Sequence, residues 1–160
     1  MISRIGKVGI FKYLVLVVMV LYVAVLLIYT SGSSKSFEAV AAPVKEALAS
    51  SELQQVDMQG FRRNYQLNPA DFDGVMMYAS EFRLAADEVL LIRVKSQQQI
   101  TGVVRVIEER LQSRRQDFDG YVPEQVQLID QAQLSVRGNY IFLAVGPDAE
   151  HYKKIFSNSL

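Results

Sequence analysis

The sequence predicts an α+β fold: an N-terminal transmembrane helix, then a small antiparallel sheet of about four strands with helices packed on one face. Three observations predict it. A long uncharged apolar run lies near the amino terminus, strand-like and helix-like segments alternate behind it, and a two-residue turn joins two strands near the carboxyl terminus. The resulting order of helices, two strands, a long helix, two strands and a helix suits an antiparallel sheet.

The apolar run covers residues 13–29, which are 17 residues without a charge and with a tyrosine at each end. At about 1.5 Å per residue, this length lies near the short end of what crosses a bilayer. The run is apolar on every face, whereas a buried core helix usually keeps a polar side. Tyrosine rings also favour the membrane–water boundary. We therefore expect a membrane-spanning segment.

The charges that flank the run predict its orientation. Arg4, Lys7 and Lys12 precede it, and Lys35 is the first charge after it. Because short cationic flanks stay in the cytoplasm, we expect a single-pass protein of the cell membrane with an extracytoplasmic carboxyl-terminal domain. A cleaved signal peptide is the alternative, although its apolar region is usually shorter. The predicted division is a cytoplasmic segment (1–12), an anchor (13–29), a polar spacer (30–36) and an extracytoplasmic α+β domain (37–160).

Helical spacing begins again near Phe37, with Val40, Val44 and Leu48 on one stripe. Pro43 predicts a break there, or a helix that begins with this proline. A second short helix is expected over residues 61–65.

Two strands are predicted next, over residues 75–80 and 88–95. The second has apolar residues at successive positions at its start, which predicts burial on both faces there. A helix of about four turns should follow from Ile100 and end near Gly120. Residues 121–131 contain Pro123 and are interpreted as a loop.

The last part of the domain predicts a hairpin over residues 132–145. Gly138 and Asn139 form its turn, where glycine supplies the positive φ that a tight turn requires. A final helix should begin at Pro147 and Asp148.

Composition excludes several kinds of chemistry. The chain has no cysteine, which removes disulfides, thiolate metal sites, a cysteine nucleophile and a lipid-modified amino-terminal cysteine. Apart from the three basic residues ahead of the apolar run, the chain has 14 basic and 17 acidic residues. This balance argues against a nucleic-acid partner.

The tetrapeptide DFDG occurs twice, at residues 71–74 and 117–120. Neither copy continues into the series of oxygen ligands that a calcium loop needs, so no metal or cofactor is expected. The flanking sequences differ, which favours similar turn chemistry over a duplicated site.

No arrangement typical of catalysis stands out. His151 is the only histidine, and no nucleophile elbow or phosphate loop is present. Carboxylates that converge only in the fold remain an alternative, with these candidates: Asp87, Glu88, Asp117, Asp119 and Glu124. The pairs Arg62–Arg63 and Arg114–Arg115 are interpreted mainly as exposed helix residues, with an anionic polymer or lipid headgroup as the alternative.

A resemblance covers residues 44–156. Its elements are the sequence YVPEQ at 121–125, the pair Leu128–Ile129, the strand RGNY at 137–140, the residues ADE at 86–88 and EERL at 108–111. Together they resemble the DUF4358-type family, membrane- or lipid-anchored proteins of Gram-positive bacteria catalogued as a domain of unknown function. No activity, cofactor or catalytic residue is established for that family, so the resemblance implies none here.

These observations favour a membrane-anchored, extracytoplasmic, non-enzymatic binding or accessory module at the cell envelope. A carboxylate-dependent hydrolase or transferase that acts on an envelope polymer is the alternative. The expected partners are the membrane and an envelope protein or polymer. The candidate interaction residues are Tyr121, Pro123, Glu124, Gln125, Arg114 and Arg115.

Overall fold

The protein is described by a computed structural model that covers the backbone of residues 7–30 and 35–160, and the side-chain exposure of residues 12–25 and 35–160. The chain divides into two compact units, Met1–Gly32 and Ser33–Leu160. The start of the predicted cytoplasmic segment, residues 1–6, and most of the predicted spacer, residues 31–34, lie outside the described residues.

The first unit contains one helix, α1 (Lys7–Thr30). Across the described residues, the structure contains no helix that is both long and apolar enough to cross a membrane. The predictions of a transmembrane anchor and of a single-pass location at the cell membrane are therefore wrong.

The second unit is built around a five-stranded sheet in the order β1-β2-β3-β5-β4, with every neighbouring pair antiparallel. Its strands are β1 (Gln54–Gln55), β2 (Phe72–Ala79), β3 (Glu88–Val94), β4 (Gln133–Arg137) and β5 (Tyr140–Val145). Its helices are α2 (Phe37–Leu48), α3 (Met58–Tyr65), α4 (Gln98–Phe118), α5 (Pro123–Asp130) and α6 (Ala149–Ser159). A short 3-10 turn, Pro69–Asp71, leads into β2.

Helices cover both faces of this sheet, whereas the sequence predicted one face. Leu90 and Ile92 of β3 share a core cluster with residues of α3, α4 and α5. Val89 and Leu91 point the other way, into a cluster with residues of α2 and α6. Because successive strand residues alternate between faces, a strand that is apolar at every position needs cover on both sides. The predicted fold class is therefore wrong in its strand number, in its single helical layer and in its transmembrane helix.

Several elements agree with the sequence patterns. β2 and β3 lie where strands were predicted, and β4 and β5 form the predicted hairpin, with Gly138 at a φ of 56° in its turn.

Helix α2 differs from the prediction, because it continues through Pro43 without a break. Pro43 is exposed, while Val40, Val44 and Leu48 on the same helix are buried. The core contacts of that stripe outweigh the hydrogen bond that proline removes.

Three elements departed from prediction or were missed. Helix α4 has 21 residues and ends at Phe118, close to the predicted end, but it makes nearly six turns where about four were predicted. Helix α5 lies in the segment interpreted as a loop, with Pro123 in its first turn, where a missing N–H costs nothing. The two-residue strand β1 is too short to leave a periodic pattern.

Replacing Gly74 by alanine should destabilise the second unit, because a Cβ atom there would overlap the ring of Phe37 on α2. Relieving such an overlap typically costs about 1–3 kcal/mol. Gly102 is the matched control, since a Cβ there meets nothing within 4 Å and alanine stabilises a helix interior by about 1 kcal/mol relative to glycine. Urea unfolding of the full chain, followed by circular dichroism, measures both changes. Equal effects of the two substitutions would contradict the packing of Phe37 against β2.

Candidate functional site

A cleft of about 480 Å³ opens at the end of the sheet where residues 80–87 connect β2 to β3. We call this connection loop 80–87 and the opening the arginine cleft. Its walls come from α3, loop 80–87 and α4. The charged residues that line it are four arginines (Arg63, Arg83, Arg110 and Arg114) and three acids (Glu81, Asp87 and Glu88).

The floor of the arginine cleft is a buried ion pair between Glu88 and Arg110. Glu88 is 4% exposed and uses both carboxylate oxygens. Its Oε2 accepts a hydrogen bond of 2.9 Å from Arg110 Nη2, and its Oε1 accepts one of 2.9 Å from the Tyr65 hydroxyl. Arg110 also donates to the carbonyl of Asn64 at 3.2 Å and lies over the Tyr65 ring, 4.8 Å from its centroid. One network therefore joins α3, β3 and α4.

The protonation of this network follows from its burial. Burial raises the pKa of the Tyr65 hydroxyl well above its ordinary range, and the charge of Glu88 raises it further. Burial lowers the pKa of Arg110, but the charge of Glu88, its hydrogen bond and the interactions with Tyr65 together outweigh burial and raise that pKa. Tyr65 therefore remains a neutral donor and Arg110 a cation. Both oxygens of the buried Glu88 carboxylate are hydrogen-bonded to Tyr65 and Arg110, so this acid serves the fold.

Loop 80–87 is held in place by two side chains from neighbouring helices. Arg114 of α4 donates a hydrogen bond of 2.7 Å to the carbonyl of Ala85. Gln125 of α5 accepts one of 2.6 Å from the backbone N–H of Ala86. The guanidinium of Arg114 is itself positioned over the ring of Phe118, 4.9 Å from the centroid. These long-range contacts act together with hydrogen bonds inside the loop, such as the one of 3.1 Å from the Ala85 N–H to the Phe82 carbonyl.

The tip of this loop presents two large apolar side chains to solvent. Phe82 is 71% exposed and Leu84 is 70% exposed. Full burial of each would be worth about 1.5–3 kcal/mol, which the isolated chain forgoes. Single exposed apolar residues are ordinary, but two that flank one position in a fixed loop form a local apolar surface.

The predicted interaction residues divide into two groups. Arg114 and Gln125 converge on loop 80–87. The other four do not reach it through any contact in the described part of the chain. Arg115 instead binds Asp130 at 2.8 Å, linking α4 to α5, and this hydrogen bond raises the pKa of Arg115. The remaining three are exposed at the α4–α5 junction, with Tyr121 at 86%: Tyr121, Pro123 and Glu124.

The carboxylates proposed as a convergent acid–base pair do not form one. Asp87 and Glu88 line the same cleft, but they are consecutive and point to opposite faces of the sheet. Asp117 lines a separate cleft of about 570 Å³ beside Arg110. Asp119 and Glu124 are exposed and line neither of these two clefts.

A third cleft, of about 390 Å³, was not anticipated from the sequence. Its acids are Glu52, Asp87 and Asp148, and no basic residue is among the described residues that line it. Burial raises the pKa of Asp87. Burial also raises the pKa of Tyr152, and the nearby Asp148 adds to the rise. In the part of the chain that the structure describes, no three His, Asp or Glu side chains are grouped to hold a metal ion. The lining comes from four separate segments of the chain, so no local sequence motif could predict this cleft.

Comparison with known proteins identifies the family but no function. The sequence profile of the family described as "Domain of unknown function (DUF4358)" matches residues 46–146. The chain therefore belongs to this family, which confirms the predicted family; the match does not show the membrane or lipid anchoring or the bacterial source that the resemblance implied. The match spans the sheet, loop 80–87 and helices α3 to α5. No curated protein and no solved structure matches the chain.

Breaking the buried ion pair should destabilise the second unit strongly. Arg110→Met leaves the Glu88 carboxylate buried without its cation, which typically costs about 3–5 kcal/mol. Glu88→Leu combined with Arg110→Met should recover part of that loss, because no uncompensated charge remains. Urea unfolding of the full chain measures the free energies.

Arg105→Met is the control, since Arg105 lies on the same helix and pairs with Glu109 at an exposed site. Its loss should stay within about 1 kcal/mol. If Arg110→Met costs no more than Arg105→Met, the network does not hold this end of the sheet.

Proposed function

We propose that this domain is a non-enzymatic protein-binding module that docks a partner segment through loop 80–87. The observation that carries the proposal is the combination of a fixed backbone and exposed apolar side chains in that loop. Arg114 and Gln125 hold Ala85 and Ala86, while Phe82 and Leu84 remain in solvent.

A fixed loop suits binding for an energetic reason. Ordering a mobile loop at an interface costs conformational entropy, which is subtracted from the affinity. A loop that two helices already hold in position loses most of this conformational entropy when the domain folds, so little is lost on binding. Aromatic side chains that become buried at the centre of an interface are also among those that contribute most to binding energy. Phe82 has this character, and Leu84 extends the apolar area beside it.

The carboxylate-dependent hydrolase or transferase receives less support. Glu88, the most buried acid of the candidate set, is committed to Arg110 and Tyr65. The other candidates lie in different clefts or on the surface, so no two of them flank one reacting bond. General acid–base catalysis requires such positioning.

Selection of phage-displayed random peptides on the immobilised full chain tests the proposal. We expect enriched peptides that bind the wild-type chain and lose at least about tenfold in affinity for the Phe82→Ser/Leu84→Ser variant. The loss follows from removal of the apolar contact area. Both side chains are exposed, so the variant should keep its fold, which a thermal melt checks.

The matched control is Val136→Thr, which removes apolar character from a 40% exposed side chain on β4. Peptides selected on the wild type should bind this variant normally. Failure to enrich any peptide, or equal binding to the Phe82→Ser/Leu84→Ser variant, would contradict the assignment of loop 80–87 as the docking surface.

A further inference from the structure

We infer that the segment docked by loop 80–87 is acidic, and that the arginine cleft beside the loop receives its carboxylates. The inference rests on the proposed function and gives the partner a chemical class. Three arginines would make these contacts: Arg63, Arg83 and Arg114.

Two of these arginines carry charges that the described part of the chain leaves uncompensated. Arg63 on α3 and Arg83 in loop 80–87 are both exposed. Neither is among the described ion pairs or side-chain hydrogen bonds. Arg83 lies between Phe82 and Leu84 in the sequence, so the cation and the two apolar side chains belong to one short segment.

The third arginine, Arg114, is partly buried and has no acidic partner among the described ion pairs. Arg114 contacts the neutral carbonyl of Ala85 and the ring of Phe118, and neither contact neutralises a guanidinium. Arg110 differs, because its charge is compensated by Glu88 at 2.9 Å.

The acids of the arginine cleft do not cancel its positive charge. Asp87 lies beside Gly146, where an added Cβ would come within 2.8 Å of the Asp87 Oδ1, so Asp87 also lines the acidic cleft. Glu81 is the remaining acid of the arginine cleft, so positive charge predominates there.

The kind of cation also indicates the ligand. The described lining of the arginine cleft contains four of the ten arginines in the chain and no lysine. The planar guanidinium binds carboxylate and phosphate oxygens in pairs, which a lysine ammonium does not. The apolar residues on either side of Arg83 favour a ligand that is both acidic and apolar. A protein segment in which Asp or Glu alternates with large apolar residues fits that description better than a free phosphate.

Two fluorescein-labelled synthetic peptides test the inference by fluorescence anisotropy with the full chain. In one, glutamate alternates with leucine and phenylalanine; in the other, glutamine replaces each glutamate. We expect the acidic peptide to bind at least about tenfold more tightly than its glutamine counterpart. The preference should shrink between about 50 mM and about 300 mM salt, because the contacts are partly exposed.

The Arg63→Gln/Arg83→Gln variant should weaken the acidic peptide by at least about fivefold and leave the glutamine peptide unchanged. Arg105→Gln is the matched control, since this exposed arginine of α4 does not line the cleft and should change neither affinity.

Several results would overturn the inference: equal affinities for the two peptides, indifference to the Arg63→Gln/Arg83→Gln substitutions, or no binding of the acidic peptide. Binding of tripolyphosphate alone, lost in the same variant, would instead make the cleft a phosphate site. The proposed function fails separately, in the selection that depends on Phe82 and Leu84. Suppose that the selected peptides are neutral, and that their binding requires Phe82 and Leu84 but is unaffected by substitution of Arg63 and Arg83. The inference of an acidic partner would then be wrong, while the proposed docking surface would stand.

Discussion

Glu88 begins β3 with its carboxylate buried against Tyr65 of α3 and Arg110 of α4, and the geometry of the candidate site depends on this contact. An unpaired carboxylate at 4% exposure would be costly, so the three elements are tied to one arrangement. Arg114 lies one turn beyond Arg110 on the same face of α4. The ion pair that fixes Arg110 therefore also positions Arg114 to donate its hydrogen bond to the carbonyl of Ala85.

The same end of the sheet separates two electrostatic environments. Because Asp87 and Glu88 are consecutive, their side chains turn to opposite faces. Glu88 joins the arginine cleft between α3 and α4, while Asp87 meets Gly146 in the acidic cleft near α6. Loop 80–87 contributes residues to both clefts, including the exposed Phe82. A loop in that position can present an apolar contact beside a positively charged one.

Local patterns predicted the strands and the hairpin, because alternation and the Gly138 turn are properties of neighbouring residues. The successive apolar positions of β3 also indicated a sheet covered on both faces. The prediction of a single helical layer overlooked this indication. The site was only partly accessible to such reasoning. Arg114 and Gln125 were singled out, whereas the partners of Glu88 stand 22 and 23 positions away along the chain and no motif marks them. The apolar run and its terminal tyrosines predicted the membrane anchor, which the described residues do not support.

Hydrogen–deuterium exchange at the backbone amide of Ala86, read by NMR on the full chain, tests most directly whether loop 80–87 is fixed. That amide donates to Gln125 at 2.6 Å and is expected to exchange slowly in the wild type. It should exchange much faster in Gln125→Ala, while the β3 amides keep their protection. Exchange of Ala86 in the wild type at the rate of an unprotected loop would show that the loop is not held, and the account of a preformed docking surface would fail.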